Sequence, residues 1–409
     1  MNQRCRHCGT RLVNQFLDLG FAPPSNSYLT IDNLSAPETT YPLRLMVCDS
    51  CFLVQTQDYT SAEKLFDQDY AYFSSTSKSW LEHAAIYSET IVDRLELKHN
   101  SFVVEVAAND GYLLRNFVDA GIPCLGIEPT ASTAQAAEAL GVPVLRKFFG
   151  EELAAELVLS GKTADLIIGN NVYAHVPDIN DFTRGLAALL KPEGVVTLEF
   201  PHLMRLVEFC QFDTVYHEHF SYLSLGTVER IFSAAGLRVF DVEELPTHGG
   251  SLRVYGCLAK ATRRQSISVA NLLLEERERG MQTLTFYAPF QERAEQVKNQ
   301  FLSFLLDAKR NGKKVVGYGA AAKGNTLLNF AGVRPDLLPF VCDAASAKQG
   351  KYLPGSHIPI RAPSAFEEQS PDFIVILPWN IIEEVRQQLR KFEDNGARFV
   401  TAIPELRIL

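Results

Sequence analysis

The chain has 409 residues, of which 46% are apolar and 21% charged, and its formal net charge at pH 7 is −9. This length exceeds what one hydrophobic core serves, so roughly two to four domains are expected. The acidic balance excludes a general binder of nucleic acid or anionic membranes, because such proteins usually carry a basic face. The longest aliphatic runs, such as residues 373–377, are far too short to span a bilayer.

The N-terminal residues and the cysteines bear on the compartment. No apolar stretch follows the polar residues 1–5, so no signal peptide is expected. Eight cysteines without a secretory signal point away from a disulfide framework. The expected location is therefore a reducing cytoplasm, and the expected oligomeric state is a monomer.

Two cysteine pairs occur within the first 51 residues, Cys5-x2-Cys8 and Cys48-x2-Cys51. Two thiolates three positions apart can bind one metal together, and four complete a tetrahedral zinc shell. Four cysteine ligands leave no open coordination position, so the predicted zinc is structural. His7 lies inside the first pair and is predicted to be a surface residue.

The pattern of apolar residues predicts an amphipathic helix over 78–98, followed by alternating strands and helices. Apolar strands between helices indicate a parallel sheet covered on both faces. A short His248-Gly249-Gly250 link joins strands 237–244 and 251–259, which predicts a hairpin and one antiparallel edge strand. The first five predicted strands are 102–107, 122–127, 142–145, 165–169 and 194–200.

A polar, helix-prone connector over 270–311 separates this block from a second strand-helix alternation. The second α/β unit has predicted strands at 314–318, 338–342, 373–377 and 398–402. The predicted domains are 1–75, 76–265 and 266–409.

The strand at 102–106 runs into a Gly-containing turn that lacks the G-x-G-x-x-G of dinucleotide folds. Its carboxylates suit S-adenosylmethionine, whose ammonium and sulfonium are cationic. Glu128 ends the second strand, where it could accept both ribose hydroxyls or be a solvated loop acid. Phe149, beside Phe148, could flank the adenine or belong to a core pair. The predicted cofactor-binding residues are Glu105, Ala107, Asn109, Asp110, Gly111, Glu128, Phe149 and Asn170.

Ionisable and aromatic side chains follow the fourth and fifth predicted strands, where ligands sit in parallel sheets. Residues 170–175 contain Asn170, Asn171, Tyr173 and His175, and residues 216–222 read Y-H-E-H-F-S-Y. A His next to a Glu is a natural proton-transfer unit. A metal site is the alternative, although consecutive H-E-H cannot place all three side chains on one helix face.

Several motifs together resemble the sugar C-methyltransferases, in particular C-3 methyltransferases of dTDP-4-keto-deoxysugars, and the resemblance spans essentially the whole chain. They are the two cysteine pairs and the segments at 105–111 (E-V-A-A-N-D-G), 171–175 (N-V-Y-A-H), 212–222 (F-D-T-V-Y-H-E-H-F-S-Y), 248–254 (H-G-G-S-L-R-V) and 317–329 (G-Y-G-A-A-A-K-G-N-T-L-L-N). The resemblance implies an α/β chain with a zinc-binding N-terminal domain, a central class I methyltransferase Rossmann domain and a C-terminal Rossmann-like domain. Ala107 and Ala108 depart from the Gly and Ser that family members often carry.

The resemblance also implies roles for individual residues. His219 would be the general base that forms an enolate beside the ketone, and Glu218 and Tyr216 would position the sugar. His175 and Tyr72 would hold the sugar oxygens and the developing negative charge, with Tyr70 the competitor of Tyr72. The adjacent carboxylate is expected to orient the His219 imidazole and raise its pKa. His175 or His217 would be the next candidate for the base.

The turn at 317–326 follows a predicted strand and opens a helix, which presents backbone N–H groups to an anion. It is predicted to bind the diphosphate of a nucleotide-linked keto-deoxysugar, with Lys348 and His357 as weaker helpers. Read alone, the turn also fits a dehydrogenase with Asp343 as its acid, and a non-enzymatic zinc adaptor is a third class. The predicted substrate-binding residues are Tyr222, His248, Lys323, Asn325, Thr326 and Lys351.

Overall fold

An antiparallel sheet forms the N-terminal part of the computed structural model, which describes residues 4–57 and 73–409. Its first three strands are β1 (Asn14–Ala22), β2 (Tyr41–Val47) and β3 (Val54–Thr56). The fourth, β9 (Ser221–Tyr222), comes from the Y-H-E-H segment, and it pairs with β3 through Val54 opposite Tyr222. The zinc-binding part therefore shares a sheet with the predicted catalytic loop.

The central sheet has seven strands in the order β10-β11-β8-β7-β4-β5-β6. The predicted strands are all present, and all but the short strand at 144–145 and the edge strand at 237–245 are continuously buried over most of their length. The prediction placed the antiparallel strand at the edge of the sheet. In the structure it lies one position inside the edge, because β11 pairs with β8 as well as with β10. The strands are β4 (Val103–Val106), β5 (Cys124–Ile127), β6 (Val144–Leu145), β7 (Ala164–Asn170), β8 (Leu190–Pro201), β10 (Leu237–Leu245) and β11 (Ser251–Leu258).

Helix α1 (Lys78–Leu95) confirms the first predicted helix. It begins where the Ser77 side chain accepts a hydrogen bond from the Trp80 amide, and it ends at Glu96 in the left-handed conformation. Its buried face includes Ala84, Tyr87 and Ile91 at helical spacing. The other helices of this part are α2 (Leu114–Asp119), α3 (Ala131–Ala139), α4 (Glu151–Leu159), α5 (Ile179–Leu189), α6 (Leu203–Glu208) and α7 (Leu225–Ala234).

The polar connector is helical, as predicted, and it packs on both preceding parts. Its helices are α8 (Ile267–Glu278), α9 (Leu284–Tyr287) and α10 (Phe290–Arg310). The Phe290 ring stacks on Phe16 of the N-terminal sheet with centroids 4.6 Å apart. The buried Glu276 carboxylate pairs with His202 and accepts from the Leu225 amide at the start of α7.

The C-terminal part is a second α/β unit, with six strands in the order β14-β13-β12-β15-β16-β17. Its four predicted strands are present, and two short strands extend the edges. The strands are β12 (Val315–Tyr318), β13 (Val341–Cys342), β14 (Ile360–Arg361), β15 (Phe373–Ile376), β16 (Arg398–Thr401) and β17 (Arg407–Ile408). The helices are α11 (Ala322–Phe330), α12 (Ala365–Gln369), α13 (Ile382–Gln388) and α14 (Arg390–Asp394).

Short 3-10 turns carry several of the predicted site residues. They are Asp32–Ser35, Ser74–Thr76, Tyr173–His175, Phe212–Thr214, Thr247–Gly249 and Trp379–Ile381. Within the described ranges, none of the helices combines the length and the apolar character that crossing a membrane requires.

Candidate functional site

The turn after β4 is tight because three of its residues adopt positive φ. Ala107 has φ 58°, Asn109 has φ 50° and Gly111 has φ 76°. A Cβ on Gly111 would lie 3.0 Å from the Ala137 backbone, so this position requires glycine. The turn thus forms in spite of the alanine at 107, which adopts a conformation that favours glycine.

Three buried carboxylates surround this turn without an ion-pair partner among the described lysines and arginines. Glu105, Asp110 and Glu128 are 1%, 2% and 5% exposed. Among the described residues, no hydrogen-bond partner exists for Glu105 Oε2, Asp110 Oδ1 or either side-chain polar atom of the nearby Asn170. Burial, followed by the charges of Asp110 and Glu128, raises the pKa of Glu105 well above its ordinary value. Such an acidic and incompletely paired site fits the ammonium and sulfonium of S-adenosylmethionine.

Glu128 is not a solvated loop acid. Its carboxylate accepts from the amides of Asn109 at 3.0 Å and Thr130 at 2.9 Å. These bonds clamp the cofactor turn to the loop after β5. A carboxylate oxygen has two acceptor positions, so this arrangement still leaves acceptor capacity for ribose hydroxyls.

The side chains of Asn109 and Asp110 have a structural task that the sequence did not reveal. They accept hydrogen bonds from the amides of Ser74 and Ser75, each at 3.0 Å. The cofactor turn therefore holds the backbone that leads into α1.

The two phenylalanines after β6 are not a core pair. Phe148 is 53% exposed, whereas Phe149 packs edge-on against Phe182 with centroids 5.2 Å apart. The structure leaves the adenine role of Phe149 as a prediction.

The structure brings four predicted residues together, with His219 at their centre. Its ring centroid lies 4.0 Å from that of Tyr216, 4.5 Å from His175 and 5.8 Å from Tyr222. His175 lies in the turn after β7, and the other three lie in the segment that leads into and forms β9. Tyr72 and its competitor Tyr70 lie outside the described residues.

The Glu218 carboxylate does not orient His219, which corrects the expectation from their adjacency. Burial, then the neighbouring His175, lower the pKa of His219 well below its ordinary value, although the nearby Thr214 carbonyl acts to raise it. The pKa is therefore lowered rather than raised. With one ring nitrogen donating, a neutral imidazole has its other nitrogen as an acceptor, which is the state that a general base needs.

The Glu218 side chain is only 2% exposed, and its hydrogen-bond partner is not His219. Both carboxylate oxygens accept from Asn26 Nδ2, at 3.0 and 2.8 Å, and the backbone carbonyl accepts from His175 Nδ1 at 2.9 Å. Burial raises the pKa of Glu218 to about 7, and burial lowers the pKa of His175 to about 4.

His217 faces away from this cluster. Its Nε2 lies 3.3 Å from the Tyr41 carbonyl of β2, and its ring contacts the Tyr41 ring. Among the described residues, the four N-terminal cysteines are the only ligating group close enough to hold a metal. The structure thus gives no support to a metal site in the histidine cluster.

His248 lies at positive φ in the turn between β10 and β11. Its Nε2 is 3.4 Å from Asn171 Nδ2, and its ring centroid is 5.3 Å from that of Trp80. Burial, followed by the charge of Lys323, lowers its pKa to about 4. A hydrogen bond holds this turn against the central sheet, because the Thr247 hydroxyl donates to the buried Glu199 carboxylate of β8 at 3.1 Å.

Lys323 of the C-terminal part faces the same pocket. Its Nζ donates to Asn380 Oδ1 at 2.8 Å and lies 4.9 Å from the centroid of the Trp379 ring. The Trp379 indole donates to Asp213 Oδ2 at 2.7 Å. The charge of Lys323 is among the causes that lower the pKa of His219.

The turn at 317–326 is less open to an anion than its sequence indicates. The Ala320 amide already donates to Asp343 Oδ2 at 2.8 Å, and Asp343 Oδ1 accepts from the Ala345 amide. Asp343 is therefore engaged, which disfavours the dehydrogenase alternative. Asn325 is 1% exposed, and neither of its side-chain amide atoms has a hydrogen-bond partner in the described part of the chain. Thr326 Oγ1 donates to the Val215 carbonyl.

The remaining basic residues that were predicted to help bind the substrate differ in whether they lie at this turn. His357 pairs with Glu38 at 3.0 Å, so the structure does not bring it to this turn. Lys348 donates to the Ala320 carbonyl at 2.9 Å, and Lys351 lies half-buried in the loop after it.

Asn26, Asp213, Trp379 and Trp80 join the site without having been predicted. Each reaches it by a contact between residues far apart in the chain, and local pattern carries no signal for such contacts. Only the Pro23-Pro24-Ser25-Asn26 turn signal was available, and it indicated a loop rather than a partner for Glu218.

The four cysteines fit a structural zinc. Their Sγ atoms all lie within 4.8 Å of one another, and the Cys5–Cys51 and Cys8–Cys48 sulfurs are each 3.5 Å apart. A tetrahedral zinc with Zn–S bonds of about 2.3 Å places its sulfurs roughly 3.8 Å apart. The donor set therefore matches the metal.

Comparisons with known proteins agree with this geometry. Family models match for a zinc binding domain over residues 5–66, a methyltransferase domain over 80–242 and a C-methyltransferase C-terminal domain over 246–404. The C-methyltransferase NovU of Streptomyces niveus is 35% identical over 99% of this chain and 96% of its own length.

Solved structures with a likeness to this chain include two methyltransferases. Magnesium protoporphyrin IX methyltransferase from Synechocystis PCC 6803, with bound SAH, is 15% identical over 43% of this chain and 81% of its own, with a TM-score of 0.34. The 1,6-didemethyltoxoflavin-N1-methyltransferase of Burkholderia thailandensis is 16% identical over 50% of this chain and 95% of its own, with a TM-score of 0.38.

The assignment of the chain to a family rests on NovU, whose match covers nearly the whole of both chains, and on the three family models. The zinc site and the acidic cofactor turn lie in the parts that the first two models cover. The chain belongs to the S-adenosylmethionine-dependent C-methyltransferases.

Proposed function

We propose that the enzyme methylates a ring carbon, C-3, of a nucleotide-linked 4-keto-deoxysugar. The observation that carries this proposal is the buried His219, which is surrounded by His175, Tyr216 and Tyr222. A base of this kind is what carbon methylation beside a ketone requires, because the C–H bond must first lose its proton.

The ketone at C-4 acidifies the C-3 hydrogen, and His219 removes it to form an enolate. When bound, S-adenosylmethionine would supply the electrophilic methyl group for that carbon, and the broken S–C bond would leave S-adenosylhomocysteine. The positions of His175 and Tyr216 suit contacts with the sugar oxygens, where negative charge develops. Burial keeps both imidazoles neutral, so His219 can accept the proton, and His175, whose Nδ1 donates to the Glu218 carbonyl, presents Nε2 as an acceptor for a sugar hydroxyl.

The substrate would lie between the central and C-terminal parts. Lys323 supplies a positive charge at this junction, and His248 approaches it from the opposite hairpin. Asn325 supports the proposal, because a deeply buried amide without partners favours a polar ligand. Tyr222, Thr326 and Lys351 complete the proposed substrate-binding set.

We also propose domain bounds of 1–75, 76–265 and 266–409. One element crosses them, because β9 of the central domain pairs with β3 of the N-terminal domain. The catalytic loop is thus supported from two domains.

The direct test is mass spectrometry of the purified enzyme with dTDP-4-keto-deoxysugars and methyl-labelled S-adenosylmethionine. The proposal predicts a product with one labelled methyl on C-3. Labelled methyl on oxygen, or no product from any keto-deoxysugar nucleotide, would contradict it.

A further inference from the structure

Asn26 belongs to a loop that runs between the catalytic segment and the C-terminal domain. Tyr28 donates through its hydroxyl to the Ala320 carbonyl at 2.6 Å, and Ser25 Oγ lies 3.5 Å from Thr326 Oγ1. These contacts on either side fix the loop, so the Asn26 side chain is directed at Glu218.

Asn26 is the single side chain among the described residues that donates to the Glu218 carboxylate. Its Nδ2 lies within hydrogen-bond distance of both carboxylate oxygens, at 3.0 and 2.8 Å. No lysine or arginine within residues 4–57 and 73–409 forms an ion pair with Glu218. The titratable groups nearest to it are Tyr28, His175 and His219, and burial keeps all three uncharged.

We propose that Asn26, from the zinc-binding domain, is a positioning residue that keeps Glu218 ionised and in one orientation for contact with the substrate. The inference rests on the proposed function and deepens it, since the family resemblance implies that Glu218 positions the sugar. A hydrogen bond to the charged form of a carboxyl favours that form. Burial, which raises the pKa of Glu218 to about 7, acts in the opposite direction, so the amide decides whether the carboxylate persists at neutral pH.

The sign of the effect follows from these opposed causes. Without the Asn26 amide, the ionised carboxylate loses its donor, and the pKa of Glu218 moves further up. A rise of about one pH unit would lower the ionised fraction at pH 7 roughly fivefold and change it little at pH 9.

The test is an infrared titration of the Glu218 carboxyl in the full-length enzyme without substrate. Subtracting the spectrum of Glu218→Gln isolates its band in the wild type, in Asn26→Leu and in a matched control, Asn33→Leu. Asn33 lies exposed in the same domain. We expect a midpoint near 7 in the wild type and control, and a midpoint about one unit higher in Asn26→Leu.

The isosteric Asn26→Asp variant covers the case in which the leucine variant does not fold. There the donor is replaced by a like charge, so the midpoint of Glu218, isolated by the same subtraction in that background, should rise as well. An unchanged midpoint in the folded variants overturns the proposal.

Activity gives the second readout. The acid limb of kcat/KM should move with the infrared midpoint, while the Kd for S-adenosylmethionine stays unchanged. An equal loss of activity at every pH indicates a purely structural role and also overturns the proposal. A wild type that methylates no keto-sugar nucleotide sinks the proposed function alone, since the titration needs no substrate.

Discussion

His219 and Glu218 are neighbours in the chain whose pKa values move in opposite directions. Burial lowers the pKa of the imidazole and raises that of the carboxyl, because desolvation disfavours whichever form is charged. The two side chains also have different neighbours, the rings of His175 and Tyr216 for His219 and the Asn26 amide for Glu218. Adjacency in the sequence therefore did not predict which groups set the protonation state of His219, the proposed base.

This assignment predicts that His219 stays neutral throughout the physiological range. Its imidazole nitrogens, followed by NMR and assigned with His219→Asn, should show no titration at or above pH 6.5 in the unliganded enzyme. A group whose pKa is lowered becomes charged only at a pH below its ordinary value. A midpoint at 6.5 or higher would show that a partner stabilises the imidazolium.

Glu128 is the residue on which the cofactor prediction depends most. Replacing it with Gln removes the charge, and each lost charge-assisted hydrogen bond should weaken S-adenosylmethionine binding by roughly 1.5–3 kcal/mol. Calorimetry measures this, with Glu138→Gln on the exposed side of α3 as the control. Equal affinities for the wild type and Glu128→Gln would remove the carboxylate from the ribose site.

At the level of elements, the pairing of β9 with β3 connects the zinc site to the catalytic loop. Cys48 and Cys51 lie between β2 and β3, and β9 continues directly from His219 and Phe220. The Phe220 carbonyl also accepts from the Thr56 amide at 3.2 Å. The segment that leads into β9 is therefore held partly by the N-terminal sheet.

Loss of zinc should consequently affect chemistry as well as solubility. The Cys48→Ser variant is expected to lose metal and to lose methyl transfer to a greater extent than affinity for S-adenosylmethionine, since the cofactor turn lies in the central sheet. Metal analysis, calorimetry and turnover on the same sample check this, with Cys342→Ser as the control. Full turnover in zinc-free protein would contradict the coupling.

The elements themselves were largely predictable, because apolar runs and helical periodicity are local signals. Val103 to Val106 and Phe373 to Ile376 are strands in both the prediction and the structure. The two-residue strand β9 was not predictable, since it forms only against β3. The same reason explains the position of β11, whose second partner, β8, is distant in the chain.

At the scale of the whole molecule, the C-terminal part packs against the segment that carries the predicted catalytic residues. Trp379 bonds to Asp213 beside the catalytic loop, and a Cβ on Gly249 would lie 2.4 Å from its ring. This packing requires glycine next to His248. The sequence predicted the C-terminal Rossmann-like domain and the importance of Lys323, but not that Lys323 would face His219.

Lys323 is expected to hold the substrate rather than to take part in proton transfer. In Lys323→Ala the KM for the nucleotide sugar should rise far more than kcat falls, because the contact is made equally in ground and transition states. Steady-state kinetics separate the two constants, and Lys391→Ala on the exposed surface is the control. A large fall in kcat with unchanged KM would assign Lys323 to the chemistry instead.

The most direct test of the account is exchange of the substrate's C-3 hydrogen with heavy water, measured by mass spectrometry in the wild type and in His219→Asn. Exchange needs deprotonation but no methyl transfer, so it separates a base from a positioning residue. We expect exchange in the wild type, and neither exchange nor methyl transfer in His219→Asn, with the affinity for S-adenosylmethionine retained. Full exchange in His219→Asn would show that the base lies elsewhere, and loss of exchange only in a His175 variant would assign it to His175.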